Sequence, residues 1–123
     1  MDYKSAGVNI EAGNQAVDLI KSRVKQTYTP NVFNQLGSFA GGYLFPKDDY
    51  DEPVLVSCTD GVGTKVKIAC ETGKFDTVGI DLVAMSVNDL ICMGAKPLFF
   101  LDYIACHALK PDEMKIVVDG VVD

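Results

Sequence analysis

Val54-Leu55-Val56-Ser57-Cys58-Thr59-Asp60-Gly61-Val62-Gly63-Thr64-Lys65 runs from an apolar stretch straight into a polar corner hinged on two glycines. Residues 54–58 read as a short apolar strand, and Asp60-Gly61 marks the turn at its end. The two glycines let the backbone fold tightly and approach a ligand with no Cβ in the way. Successive N–H groups in such a turn form an anion-binding concavity. Lys65 adds a point charge for phosphate, Thr64 a hydroxyl, and Asp60 a hard oxygen donor of the kind Mg²⁺ prefers. Two familiar nucleotide patterns do not fit. A P-loop needs four residues between its first Gly and its Gly-Lys-Ser/Thr, and a dinucleotide fingerprint would need glycine where Val66 stands. On the residues alone, a phosphate cradle and a plain polar turn are equally open.

Working outward from that corner, Val66 to Ala69 form a short element whose type the pattern does not decide. Thr77 to about Met93 reads as a helix that is apolar nearly all round, through Val78, Ile80, Leu82, Val83, Met85, Val87, Leu90 and Ile91. A helix of that kind is expected to be buried in a core or an interface. Asp81, Asn88 and Asp89 interrupt it. A buried carboxylate is costly unless it is paired, solvated or bound to metal. At about 100° per residue, Asp81 and Asn88 fall within roughly 20° of one another and Asp89 about 80° from Asp81, so the three can line one cleft wall. Against that stands the ordinary reading, an acid at a helix N-terminus and one exposed helix edge.

Gly94 is a helix stop and Pro97 cannot continue the helix. Pro97 to Cys106 reads as a long buried strand containing Asp102, with His107 in a surface turn. Lys110-Pro111-Asp112-Glu113 opens another helix, with Pro111 in its first turn and an apolar face of Met114, Val117, Val118, Val121 and Val122. That helical pattern reaches Asp123 without a stop signal, so a further strand is expected to pack beneath it in a longer chain. Upstream, Glu11 to Thr27 reads as an amphipathic helix built on Ala12, Ala16, Leu19, Ile20 and Val24. Asn9 or Glu11 suits its start, and Lys21, Arg23 and Lys25 suit its end. Tyr28 to Pro53 is a loop, long enough that a functional role is favoured over an idle one. Strands alternating with helices define an α/β or α+β class.

The length of 123 residues fits one domain, and 48% hydrophobic with 23% charged residues is a globular composition. A net charge of −6 with 11 scattered basic residues argues against a nucleic-acid partner. No run approaches the roughly 18 apolar residues that span a bilayer, and Met1-Asp2-Tyr3-Lys4 lacks a secretory leader, so no membrane partner and a cytoplasmic location are expected. Cys58, Cys70, Cys92 and Cys106 lack metal-ligand spacing and are expected to be reduced and mostly buried.

Several stretches in order now carry a resemblance. These are Tyr3-Lys4-x-Ala6-Gly7-Val8, Ala12-Gly13-Asn14, the run from Pro53 to Lys65, Glu71 to Leu90, and Gly94 to Tyr103. Together they resemble the phosphoribosylformylglycinamidine cyclo-ligases, the aminoimidazole ribonucleotide synthetases of purine biosynthesis, over nearly the whole chain. Formylglycinamidine ribonucleotide synthetase, selenophosphate synthetase and thiamine-monophosphate kinase share only fragments of the pattern.

The resemblance implies a partial N-terminal ATP-binding and dimerisation domain over residues 1–123, of ferredoxin-like sheet-and-helix layers. Its strands would pair across a homodimer into a barrel, with the C-terminal domain absent. It implies ATP and Mg²⁺ as cofactors, formylglycinamidine ribonucleotide as substrate, and an ATP-dependent cyclo-ligase activity that this stretch alone does not complete. Asp60 and Asp89 match the family's metal-and-ATP acids, and Gly61, Gly63, Thr64 and Lys65 its phosphate loop, with Asp60 and Lys65 in the catalytic role. Asn88 matches the asparagine beside the second acid, and Lys21 a helix lysine near ATP. The family's glycine-rich flap carries more glycines than Asn34 to Gly41 do here, and its G-G-E-T motif and second domain follow the region matched by this chain. The rival readings are a non-catalytic dimerisation module and another ATP-user of the same superfamily.

Overall fold

The structure is a computed structural model that describes Tyr3 and residues 6–34 and 36–123. Lys4 of the first matching motif and Gln35 of the flap segment lie outside the described residues. Among the described residues four α-helices form the framework: α1 (Ile10–Val24), α2 (Lys65–Thr72), α3 (Val78–Cys92) and α4 (Pro111–Val122). Short 3₁₀ turns occupy Lys25–Thr27 and Lys47–Asp49.

Local chemistry marks several of the helix ends. Asn9 caps α1, its side-chain oxygen accepting from the Ala12 N–H at 3.1 Å, which satisfies one of the helix's orphan donors. The apolar run at 66–69 resolves as the middle of α2. At the end of α3, Ala95 N–H donates to Leu90 C=O at 3.0 Å and Gly94 N–H to Ile91 C=O at 2.9 Å. This is the Schellman pattern, with Gly94 at φ 70° in the left-handed region. Pro111 occupies the first turn of α4, where its missing N–H costs nothing.

Packing centres on α4, which contacts both α1 and α3, while α2 leans on α3. Arg23 near the end of α1 reaches Asp119 of α4, Nε to Oδ1 at 3.7 Å, and also bonds Asp123. The α3–α4 crossing is closer still. A Cβ added to Gly79 would lie 2.5 Å from Val121 N, and one on Gly120 would lie 3.1 Å from Asp76 C=O. The absence of two side chains lets the helix backbones touch. Ala12, Ala16, Ala69, Val78 and Val118 form the buried apolar interior, with Ser86 beside them, and no large side chain is fully buried among the described residues.

Three expectations change here. Residues 54–58 and 97–106 are neither helical nor paired in a sheet. Strands exist only when their N–H and C=O groups meet a neighbouring strand, and among the described residues the only bridge joins Val32 to Tyr43. Their apolar side chains are accordingly open to solvent rather than buried, with Leu55 67%, Leu101 70% and Tyr103 91% exposed. Second, α3 is not buried all round: Val78, Gly79 and Ser86 are covered, whereas Ile80 and Ile91 are exposed, because α4 and α2 cover only part of its circumference. Third, the cysteines are free as expected but not mostly buried, since Cys70, Cys92 and Cys106 lie on the surface and only Cys58 is half-buried. Cys70 and Cys92 fall on the open sides of α2 and α3, and Cys106 lies in the second unpaired segment.

The long loop is pinned at several points. Phe33 N–H donates to Gly42 C=O at 2.8 Å, Leu44 N–H to Asn31 C=O at 2.7 Å, and the Asn34 side chain bonds both Ala40 and Gly42. Phe39 stands fully exposed at its tip. Tyr43 packs on Phe99 with ring centroids 5.2 Å apart, which joins the loop to the 97–106 segment.

Candidate functional site

The corner at Thr59–Lys65 leads directly into α2, with Thr64 as the residue before the helix and Lys65 as its first residue. Gly63 takes φ 81°, a conformation that disfavours any side chain, so the tightness expected of the corner is real there. At Gly61 a Cβ would meet nothing within 4 Å, and its N–H donates to Asp60 Oδ1 at 2.7 Å. Asp60, Gly61, Gly63, Thr64 and Lys65 are all exposed, so the corner faces solvent, with the Gly61 N–H engaged by Asp60.

Two attachments lay this corner along α3. At one end the Cys58 thiol donates to Ser86 C=O at 3.3 Å. At the other, Lys65 Nζ pairs with Asp81 Oδ2 at 3.0 Å. Asp81 and Ser86 are five residues apart on α3, roughly 7.5 Å along its axis, so the corner spans about a turn and a half of that helix. Asn88 and Asp89 follow Ser86 within one turn of α3, and both are exposed. The helix carrying the second acid is therefore the one that anchors the corner carrying the first.

Lys21 is exposed near the end of α1, a helix that packs chiefly on α4. Nothing in the bonding pattern draws it toward residues 60–65. Asp102 sits in the second unpaired segment, where burial of its carboxyl raises its pKa above the usual 3.8 and a bond from the Tyr103 N–H partly opposes the rise.

Among the described residues no group of three or more His, Cys, Asp or Glu side chains is assembled around a point. Mg²⁺ is commonly held by one or two carboxylates together with substrate phosphates and water. Asp60 and Asp89, both hard oxygen donors with open faces, suit that mode better than a closed protein cage.

Sequence reasoning missed the Lys65–Asp81 pair, the Cys58–Ser86 bond and the Gly79–Gly120 crossing. Asp81 was visible as an acid in a helix's first turn, but nothing in the pattern told which cation it faces. The crossing had a signal, a glycine in the interior of each of two helices, where glycine is otherwise unfavourable.

A helical framework that presents a glycine corner along an acid-bearing helix is the class this architecture defines. Residues 47–123 match the family described as AIR synthase related protein, N-terminal domain. The chain belongs to that family. It is 60% identical over 121 residues to the phosphoribosylformylglycinamidine cyclo-ligase of Clostridium novyi (strain NT), covering 98% of this chain and 36% of that protein. It is 59% identical to the enzyme of the same name from Clostridium botulinum (strain Loch Maree / Type A3), with the same coverage. Against that of Magnetococcus marinus (strain ATCC BAA-1437 / JCM 17883 / MC-1) the figure is 58% over 123 residues, or 34% of that protein. The chain thus spans about a third of the length of the curated relatives it matches. No helix among the described residues is long and apolar enough to cross a membrane.

Proposed function

We propose that this chain is the N-terminal ATP-binding and dimerisation part of an enzyme that closes formylglycinamidine ribonucleotide to aminoimidazole ribonucleotide, using ATP, in purine biosynthesis. The observation that supports it most directly is the anchoring of the Thr59–Lys65 corner, at both ends, to the helix that carries Asn88 and Asp89. The relatives named as cyclo-ligases supply the reaction class.

In this reaction the γ-phosphoryl group of ATP passes to the formyl-amide oxygen, leaving ADP. The amidine nitrogen attacks the carbon so activated, phosphate departs with that oxygen, and the five-membered ring is closed. Phosphoryl transfer asks a protein for positioning and charge neutralisation more than for covalent chemistry. Gly63 and Thr64 present N–H groups and a hydroxyl to phosphate, Gly61 leaves room for its close approach, and Lys65 adds a cationic contact. Asp60 and Asp89 would hold Mg²⁺, which when bound would offset phosphate charge. Asn88 contacts the nucleotide beside Asp89, and Lys21 lies near ATP in the intact enzyme.

The unpaired apolar segments fit the same reading. Val54 and Leu55, with Leu101 and Tyr103, are exposed apolar residues that have no strand partner among the described residues. In this proposal they gain ladder partners within a ferredoxin-like layer and across a homodimer, where the strands close into a barrel that leaves no exposed edge. The protein then works in the cytoplasm, on a small-molecule substrate, without nucleic-acid or membrane partners.

Asp60→Asn in the intact enzyme tests the site. Turnover is expected to fall by about 10²-fold or more, the scale seen when one electrostatic contact to a transition state is removed, with an unchanged circular dichroism spectrum. Near-normal turnover would overturn the assignment. The exposed apolar segments also suit a second reading, a dimerisation module that turns nothing over. Sedimentation combined with an ATP titration separates the two, because a native dimer that binds no nucleotide favours the module.

A further inference from the structure

Lys65 occupies an awkward place for a cation. As the first residue of α2 it sits at the positive end of its own helix dipole. Asp81 lies in the first turn of α3, where a carboxylate is favoured. The two meet with Nζ 3.0 Å from Oδ2, across a shallow groove of about 170 Å³ that Ile68, Thr72, Thr77 and Val78 also line. Both side chains are nearly half exposed, at 45% and 40%. A pair this open to water contributes little to folding. Its effect is on where the ammonium stands. A lysine side chain is a flexible stem with many rotamers, and an untethered one must be ordered before it can act.

We infer that Asp81 is a positioning residue for Lys65, the residue on which the glycine corner ends, fixing its ammonium on the α3 side so that an incoming phosphate meets a cation already ordered. This rests on the proposed phosphate role of Lys65 and adds to it a residue outside the corner that sets the lysine's geometry. In this proposal Asp81 acts through Lys65, the cation it pairs with.

The test is a kinetic cycle in the intact enzyme with ATP as the varied substrate. Asp81→Asn is expected to lower kcat/KM for ATP about tenfold, most of it in kcat, since misplacing a contact group acts on the transition state. Asp81→Glu should recover most of that loss. In a Lys65→Ala background, Asp81→Asn should cause no further loss, because the residue it positions is gone. A full additional loss in that background, or no recovery with glutamate, would overturn the inference. Normal kinetics for Asp81→Asn beside a crippled Lys65→Ala would overturn it while leaving the phosphate reading standing. Normal kinetics for Lys65→Ala would instead remove the phosphate reading itself. Should Asp81→Asn fail to fold, ¹⁵N relaxation of lysine side chains in the unmodified protein decides. The Lys65 ammonium should be more restrained than that of Lys96, an exposed lysine just before the 97–106 segment, and equal mobility contradicts the tether.

Discussion

Gly63 holds φ 81°, in the left-handed region, whereas Gly61 does not, and a Cβ on either would meet nothing within 4 Å. Space is therefore not the issue at this corner, and backbone strain is. Gly63→Ala should cost roughly 1–2 kcal/mol, the penalty for an L side chain in that region, read as a lower urea midpoint at constant slope. Gly61→Ala should change stability by no more than about 0.5 kcal/mol, as for an unconstrained surface site. If Gly61 serves close approach by a ligand, its alanine variant weakens ATP binding while leaving the urea midpoint alone. Equal destabilisation by the two variants would contradict this division. Asp76 offers a second residue-scale test. A hydrogen bond from Lys74 Nζ, at 3.0 Å, is the main cause that holds its carboxyl below the usual 3.8. A depressed carboxylate favours the folded state above its unfolded pKa, and that preference disappears as pH falls through the folded value. An NMR titration of the Asp76 carboxyl should give a midpoint below 3.8, returning toward it in Lys74→Ala. The chemical residue types of the corner were readable in advance because glycine, lysine and aspartate announce what they can do. Their partners were not, since Lys65 and Asp81 are joined by folding rather than by spacing.

Three of the helices, α1, α3 and α4, were legible for a physical reason: a helix satisfies its own backbone and advertises its ends, whereas the short α2 left its type undecided. Asn9, Gly94 and Pro111 each act where their chemistry suits a helix terminus. The two expected strands at 54–58 and 97–106 failed as elements because a strand's hydrogen bonds belong to another segment, which a local pattern cannot supply. Helix contacts follow their own rule of close approach. Gly79→Ala would drive a methyl group into the backbone of α4, where no side chain can swing aside. The loss should be roughly 1–3 kcal/mol, the usual range for overpacking, seen as a lower melting temperature. Gly120→Ala, whose Cβ would stand 3.1 Å from Asp76 C=O, should cost less. A near-silent Gly79→Ala would mean that α3 and α4 do not cross as described.

For the molecule as a whole, the interior is built from alanine and valine, while leucine, phenylalanine and tyrosine side chains of the unpaired segments face water. Exposed apolar surface of this sort marks a binding face or an aggregation liability. If a second copy covers it, as proposed, Leu101→Lys with Tyr103→Lys should shift the intact protein from dimer to monomer in sedimentation velocity, while helical circular dichroism persists. An unchanged dimer would place the interface elsewhere. The composition that signals an ordinary globular domain could not show that so many large apolar residues would stand outside the helical framework.

The position of α4 between α1 and α3 has a consequence for biosynthesis on the ribosome. Arg23 waits nearly a hundred residues for Asp119, and Gly79 about forty for Gly120, so neither helix can find its main neighbour until residues 111–122 have left the exit tunnel. At roughly 5–20 residues per second, α1 spends on the order of five to twenty seconds undocked in the nascent chain. During that interval its alanine face is open to chaperones, and the growing chain acquires its native order only after α4 emerges.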